Sequence, residues 1–294
     1  MLFYSHDPGF SLKEWKNLPL KRIFAGLDCV MAITEDGQVL QKIADPAYAA
    51  RTHYWKSITE IAISSHVAGA VLGLVSDGTC MVAKRPLREH FGEPGMRRIN
   101  ETVKSWRDIT AICASDAFFA LDKDGRVHHV SFDPQRDPYQ DTESWEDVVF
   151  LTTGNQDSVF GVTRQGKVLF AGHNCVDGPN GDLRERPFYD VTGVCPAGSE
   201  CERLLLFYRD GTVTDLQGTQ YDEAAKKTPI RGCYLLSAYL DEQRKLQLLP
   251  YCGGALSLQP SHTQILDFAV GHRDGEPFCV AIGDRKNLFA RLFG

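Results

Sequence analysis

Nine cysteines and nine histidines in a chain of 294 residues direct the first search toward a metal centre or a thiol nucleophile. The close groupings are His173-Asn174-Cys175, Cys195 with Cys201, and the adjacent pair His128-His129. A structural zinc site takes paired ligands at short spacing, usually C-x-x-C or H-x-x-x-H, and neither spacing occurs. Adjacent histidines on a strand point to opposite faces, so His128 and His129 cannot share an ion. There is no Gly-x-Ser-x-Gly elbow and no phosphate loop, and "GHRDGEPFC" at 271–279 matches no nucleophile signature. No metal, cofactor or catalytic residue is therefore assigned. Cys29, Cys80, Cys113 and Cys279 fall inside strand-like runs, where small buried thiols behave as apolar residues. With no C-x-x-C pair and an odd total, a reducing compartment, the cytoplasm, is expected.

The elements that must carry any site are set by a recurring phrase. "AITEDGQVL" at 32–40, "LVSDGTCMV" at 74–82, "ALDKDGRVHHV" at 120–130, "GVTRQGKVLFAG" at 161–172 and "LFYRDGTVTDL" at 206–216 each join two β-rich runs through a polar pair and a glycine. A tight hairpin needs positive φ, which glycine adopts without a Cβ clash, so each phrase predicts a hairpin. The glycines Gly37, Gly78, Gly125, Gly166 and Gly211 are spaced 41, 47, 41 and 45 residues apart. Strand signals at that period predict propeller blades.

Ahead of the hairpins runs a second pattern: Trp55, Ile58, Ile61; Trp106, Ile109, Ile112; Trp145, Val148, Leu151; and Phe188, Val191, Val194. A large ring followed by β-branched residues suits the start of an inner strand, the ring filling the wedge between sheets. A seventh unit is read at Ile265–Val270, Phe278–Ile282, a turn at 284–286 and a strand at 287–293. A sixth, Tyr234 to Leu249, lacks the glycine turn and is degenerate. The expectation is one all-β domain over 1–294, a seven-bladed propeller. Leu2-Phe3-Tyr4 is expected to add a strand to the last blade and close the ring, because an open ring leaves sheet edges able to pair.

In such a ring the tips joining inner to second strands gather at one channel mouth. They carry Asp28, His66, Asp116, Asp157, Glu200 and Asp274, and converging carboxylates attract a cationic partner. Aspartate is equally an ordinary turn former that bonds its own backbone. The loops after the third strands are of opposite character: Lys84, Arg85, Arg88, His90, Phe91, Arg97 and Arg98 in the second unit, Phe132, Arg136 and Tyr139 in the third. Arginine and aromatic residues dominate interface hot spots. A net charge of −6 without a basic run argues against general nucleic-acid binding. No stretch reaches the ~18 apolar residues of a membrane span, and the first residues lack the basic start of a signal peptide.

In the fourth unit the residues become specific. Gly166, Val168, Gly172, Asn174, Gly178 and Gly181 in "KVLFAGHNCVDGPNGDL" (167–183), with Val148, Leu151 and Gly154 upstream, resemble the repeat of the regulator-of-chromosome-condensation (RCC1-like) family. Other units keep the hairpin and lose the Gly-x-Asn stretch. The resemblance implies a propeller that recognises macromolecules. The expected function is a monomeric, non-enzymatic protein-binding scaffold using one face. The alternatives are an enzyme or small-ligand site at the channel mouth and, by family analogy, a nucleotide-exchange factor for a small GTPase.

Overall fold

In a computed structural model, the chain forms seven three-stranded antiparallel sheets. The structure describes residues 2–5, 11–83, 86–154, 158–172, 188–197, 203–221, 230–233, 236–241, 243–250, 264–273 and 276–284. After β1 (Leu2–Ser5), the first blade is β2 (Leu20–Gly26), β3 (Cys29–Thr34) and β4 (Val39–Ile43), and the second is β5 (Ile58–Ile63), β6 (Val71–Val75) and β7 (Cys80–Val82). Helix α1 (Pro86–Ser105) leads to the third blade, β8 (Ile109–Ala114), β9 (Ala117–Asp122) and β10 (Val127–Ser131). The fourth holds β11 (Val148–Thr153), β12 (Ser158–Thr163) and β13 (Val168–Gly172); the fifth, β14 (Val191–Ala197), β15 (Arg203–Tyr208) and β16 (Val213–Thr214). The sixth holds β17 (Ile230–Cys233), β18 (Leu236–Leu240) and β19 (Leu246–Pro250), and the seventh is built on β20 (Ile265–Arg273) and β21 (Glu276–Gly283).

The first strand of each blade lies inside and touches the first strand of the next, and β20 in turn touches β2. Trp55, Trp106 and Trp145 are buried where the chain turns into an inner strand, as their spacing predicts, and Trp15, outside that pattern, is buried ahead of β2. Small second-strand residues make room for them. A Cβ on Gly73 would lie 2.8 Å from the Trp55 ring, and one on Gly161 2.9 Å from the Trp145 ring.

The hairpin glycines do more than turn the chain. Gly78, Gly125 and Gly166 have φ near +80° (80°, 81° and 82°), and each carbonyl accepts a hydrogen bond from the first inner-strand N–H of the next blade: Ile109 (2.9 Å), Val148 (3.0 Å) and Val191 (3.2 Å). That approach leaves no space for a side chain. A Cβ on Gly166 would meet the Asp190 nitrogen at 2.6 Å. The sixth blade, which lacks the glycine, uses Arg244 instead: φ is 58°, its carbonyl accepts from Ile265 N (2.9 Å), and its guanidinium donates to the Ile265 and Leu266 carbonyls. The inner strand β17, which lies ahead of the span read as the sixth unit, completes that sheet.

Two expectations are modified. The segment read as a loop after β7 is the helix α1, broken at Gly92 (φ 67°). Gly92, Pro94 and Gly95 look like turn signals, but proline in the first turn of a helical segment forfeits no needed N–H. Beyond it Met96, Ile99 and Val103 recur on one face and are buried in the cluster shared by the second and third blades. In the seventh sheet the third place is taken by β1, paired Leu2↔Ile282 through Ser5↔Cys279. The strand expected at 287–293 lies outside the described residues.

Leu2 is buried with Trp15, Leu20, Val280 and Ile282, so β1 ties the chain start to its last described strand. If this pairing fastens the ring, removal of residues 1–5 will lower the melting temperature and, by baring the β21 edge, promote association. Light scattering beside a thermal melt reads both; an unchanged melt would show that β1 fastens nothing.

Candidate functional site

The inner strands surround a central cavity of about 260 Å³. Around the end where they run into the tips stand small residues, Gly26, Ser64, Ser115, Gly154 and Gly271. The crowding explains the choice: a Cβ on Gly26 would lie 2.6 Å from Ile63, and one on Gly271 2.8 Å from the Gly26 carbonyl.

At the opposite, hairpin end the side chains are larger. A register shift near the start of each of six inner strands brings Arg22, Glu60, Ala111, Phe150, Gly193 and Asp267 to equivalent positions. Asp267, almost fully buried, joins three blades. Its Oδ2 lies 3.3 Å from Arg22 Nε and accepts from Ile23 N at 2.9 Å, while Oδ1 lies 3.0 Å from Arg231 Nη2. The two guanidiniums also rest on rings, Arg22 over Phe24 at 5.2 Å and Arg231 over Phe268 at 5.3 Å.

Glu60 differs from Asp267. Among the described residues no lysine or arginine nitrogen lies within 4 Å of its carboxylate. Burial raises its pKa, and the fields of Arg22 and Arg231 with the Ile112 N–H only partly offset that. A folded-state pKa above the unfolded one favours folding at low pH, and that stability is lost as pH rises through the folded value. Glu60→Gln, uncharged throughout, should therefore melt above the wild type at pH 8, with the gap closing toward pH 4. A variant that melts lower at pH 8 would contradict the assignment.

At the tip end the expected carboxylate ring is only partly visible, since Asp157, Glu200 and Asp274 lie outside the described residues. Asp116 is held internally: its Oδ1 accepts from the Tyr139 hydroxyl and from Ser115 Oγ (3.1 Å). Asp28 occupies a two-residue turn with φ 52°, its N–H bonded to the His272 carbonyl at 3.0 Å. His66 is exposed, and burial together with the charge of His66 lowers the pKa of His272. Asp116 is thus engaged by the side chains of Tyr139 and Ser115.

The residues expected on the loops divide. Tyr139 is fully buried, closed to any partner, and packs edge-on against Phe119 at 4.8 Å. Phe91 packs on the core cluster, 5.6 Å from Phe132, and Arg98 donates to the Ser131 carbonyl at 2.6 Å, pinning α1 to the third blade. Arg88, His90, Arg97 and Arg136 are exposed; Arg88 pairs with Glu93 on the same helix. Tyr48, from the first blade's outer loop, stacks on His90 with centroids 5.9 Å apart. Arg85 lies outside the described residues.

His128 and His129 face opposite ways, to Asp122 (2.9 Å) and Asp137 (3.0 Å). Among the described residues no group of three His, Cys, Asp or Glu could hold a metal ion. His173, Cys175 and Cys201 lie outside them. Burial pushes the Cys29 and Cys80 thiols up to about 12 and Cys113 well above its ordinary value, making all three poor nucleophiles at neutral pH.

Sequence reasoning missed the channel charges. Arg22, Glu60 and Asp267 each stand two residues after the first apolar residue of an inner strand, a place that alignment of the strands would have marked. Arg231 carried no such signal.

No protein-family profile and no curated protein sequence matches the chain. Solved structures do. Yeast RCC1 (Prp20) bound to Kap60 is similar at a TM-score of 0.62 and 12% identity over 99% of this chain and 90% of that one. Prp20p from Saccharomyces cerevisiae, studied for its binding to Gsp1p and histones, gives 0.59 and 12% over 99% and 93%. Human WBSCR16 gives 0.61 and 10% over 91% and 88%. The fold is that of a divergent RCC1-like propeller.

Proposed function

We propose that the chain is a protein-binding propeller that catalyses no reaction and engages its partner along the outer loops of the first three blades. The observation that supports this most is helix α1. It interrupts the repeat, is anchored by Leu87, Met96, Ile99, Val103 and Arg98, and leaves Arg88, His90 and Arg97 exposed beside Tyr48. An anchored helical segment presenting arginine and a stacked aromatic pair meets the composition of an interface hot spot. Arg136, on the neighbouring third blade, extends the same reading. The similar yeast protein, whose binding to Gsp1p and histones has been studied, adds a precedent for protein partners on this fold.

A cytoplasmic, reducing setting is part of the proposal; Cys29, Cys80, Cys113, Cys195 and Cys279 are free thiols. Among the described residues no helix is long and apolar enough to cross a membrane.

The test is quantitative affinity capture from host lysate with wild type beside Arg88→Ala/His90→Ala/Arg97→Ala. These side chains are exposed, so the fold should persist, checked by the melting temperature. Loss of about tenfold or more of one stoichiometric protein is expected for hot-spot positions. Equal recovery by both chains would remove the α1 surface from consideration.

A further inference from the structure

We propose that the hairpin mouth of the central channel is a binding site for an organic cation, a guanidinium or ammonium group on an apolar stem, received by Glu60 and Phe150. The argument is independent of the α1 surface and rests on how the mouth divides. On one side Arg231, Asp267 and Arg22 form a chain of paired charges across the sixth, seventh and first blades. On the other side the equivalent positions are Ala111, Phe150 and Gly193, and a Cβ on Gly193 would lie 3.7 Å from the Phe150 ring. The glycine therefore leaves one flank of that ring uncovered by a side chain.

Glu60 stands where the two halves meet. Both arginines are engaged by the single carboxylate of Asp267, and none of the described cations lies within 4 Å of Glu60. Its carboxylate is largely removed from water yet borders the cavity of about 260 Å³, which Arg22, Phe150 and Arg231 also line. A partly desolvated carboxylate regains in a bound cation the interaction it lost with solvent. The Phe150 ring, which lines the same cavity, accepts either the face of a cation or its hydrocarbon stem. The excess positive charge around Asp267 keeps the ligand's cation on the Glu60 side, and the Glu60 carboxylate itself repels an anion. A buried carboxylate that opposes folding at neutral pH is the kind of group retained for function.

A free organic cation and a basic side chain of a protein partner carry the same chemistry, and the probes separate them. Benzamidine, n-butylammonium and an end-blocked Gly-Arg-Gly peptide would be titrated into the full chain at pH 7.5, followed by calorimetry and ligand-observed NMR. Saturable binding is expected, weakened at least tenfold in Glu60→Gln, restored in part by Glu60→Asp, and unchanged in the control Glu101→Gln, exposed on helix α1. Preference for the peptide would assign the site to a partner's side chain, and preference for the small cations to a free ligand. Absence of saturable binding by every probe, or equal binding by wild type and Glu60→Gln, would overturn the proposal. Because Glu60→Gln is expected to be at least as stable as the wild type, lost binding would not reflect unfolding.

Discussion

Replacing Gly166 with alanine should destabilise the fold by about 3 kcal/mol or more, whereas the same change at Gly37 should cost about 1–2 kcal/mol. Both glycines have φ of +82°, so the backbone penalty of an L-residue is common to them. Their surroundings differ. Nothing lies within 4 Å of a Cβ on Gly37, but on Gly166 it would meet the Asp190 nitrogen at 2.6 Å and the Val191 nitrogen at 2.7 Å. Those atoms are backbone and cannot rotate away. The blades would have to part, stretching the bond from Val191 N to the Gly166 carbonyl. Denaturant melts of the two variants measure the difference directly. Equal losses would show that the hairpin serves its own blade alone and does not latch the next.

Asp267→Ala should cost about 2–4 kcal/mol, because the carboxylate is buried while the side chains of Arg22 (36% exposed) and Arg231 (28%) stay partly in solvent, which weakens each pair relative to a fully buried one. The loss has two parts. Arg22 and Arg231 are left facing each other without the carboxylate between them, and the Ile23 N–H loses its acceptor. Asp267→Asn keeps an acceptor for Ile23 and should fall at roughly half that cost, since a neutral amide forfeits the charge-assisted bonds. Because the cluster spans the sixth, seventh and first blades, hydrogen exchange should quicken first at β2 and β20. Uniform exchange around the ring would mean that Asp267 is no special clasp.

Much of the architecture was written in local chemistry. The glycine hairpins, the apolar runs beside them and the large rings ahead of the second to fifth inner strands are short-range signals, and each states its own backbone requirement. Their period of 41 to 47 residues sufficed to predict a propeller, and the glycines and Asn174 of the fourth unit marked its resemblance to RCC1-like repeats. The hairpin glycines were read for their φ alone, and the second demand on Gly125 and Gly166, close approach to the next blade, exists only between repeats. Helix α1 stayed hidden because Gly92, Pro94 and Gly95 mimic a turn, while its reason to fold, burial of Met96, Ile99 and Val103 on two blades, is a tertiary matter.

The site was less visible for the same reason. Tyr139 has the composition of a hot spot, yet the three-dimensional packing seals it against Phe119 and bonds its hydroxyl to Asp116. Arg22 and Asp267 are 245 residues apart and meet only because the last blade comes to rest on the first. Sequence alone determined what each repeat must become, since hairpin, strand and ring-bearing turn are set by neighbours along the chain. Only the tertiary structure decided which charges are neutralised and which, like Glu60, are left facing the cavity, because electrostatic pairing depends on distance across blades, and no local pattern records it.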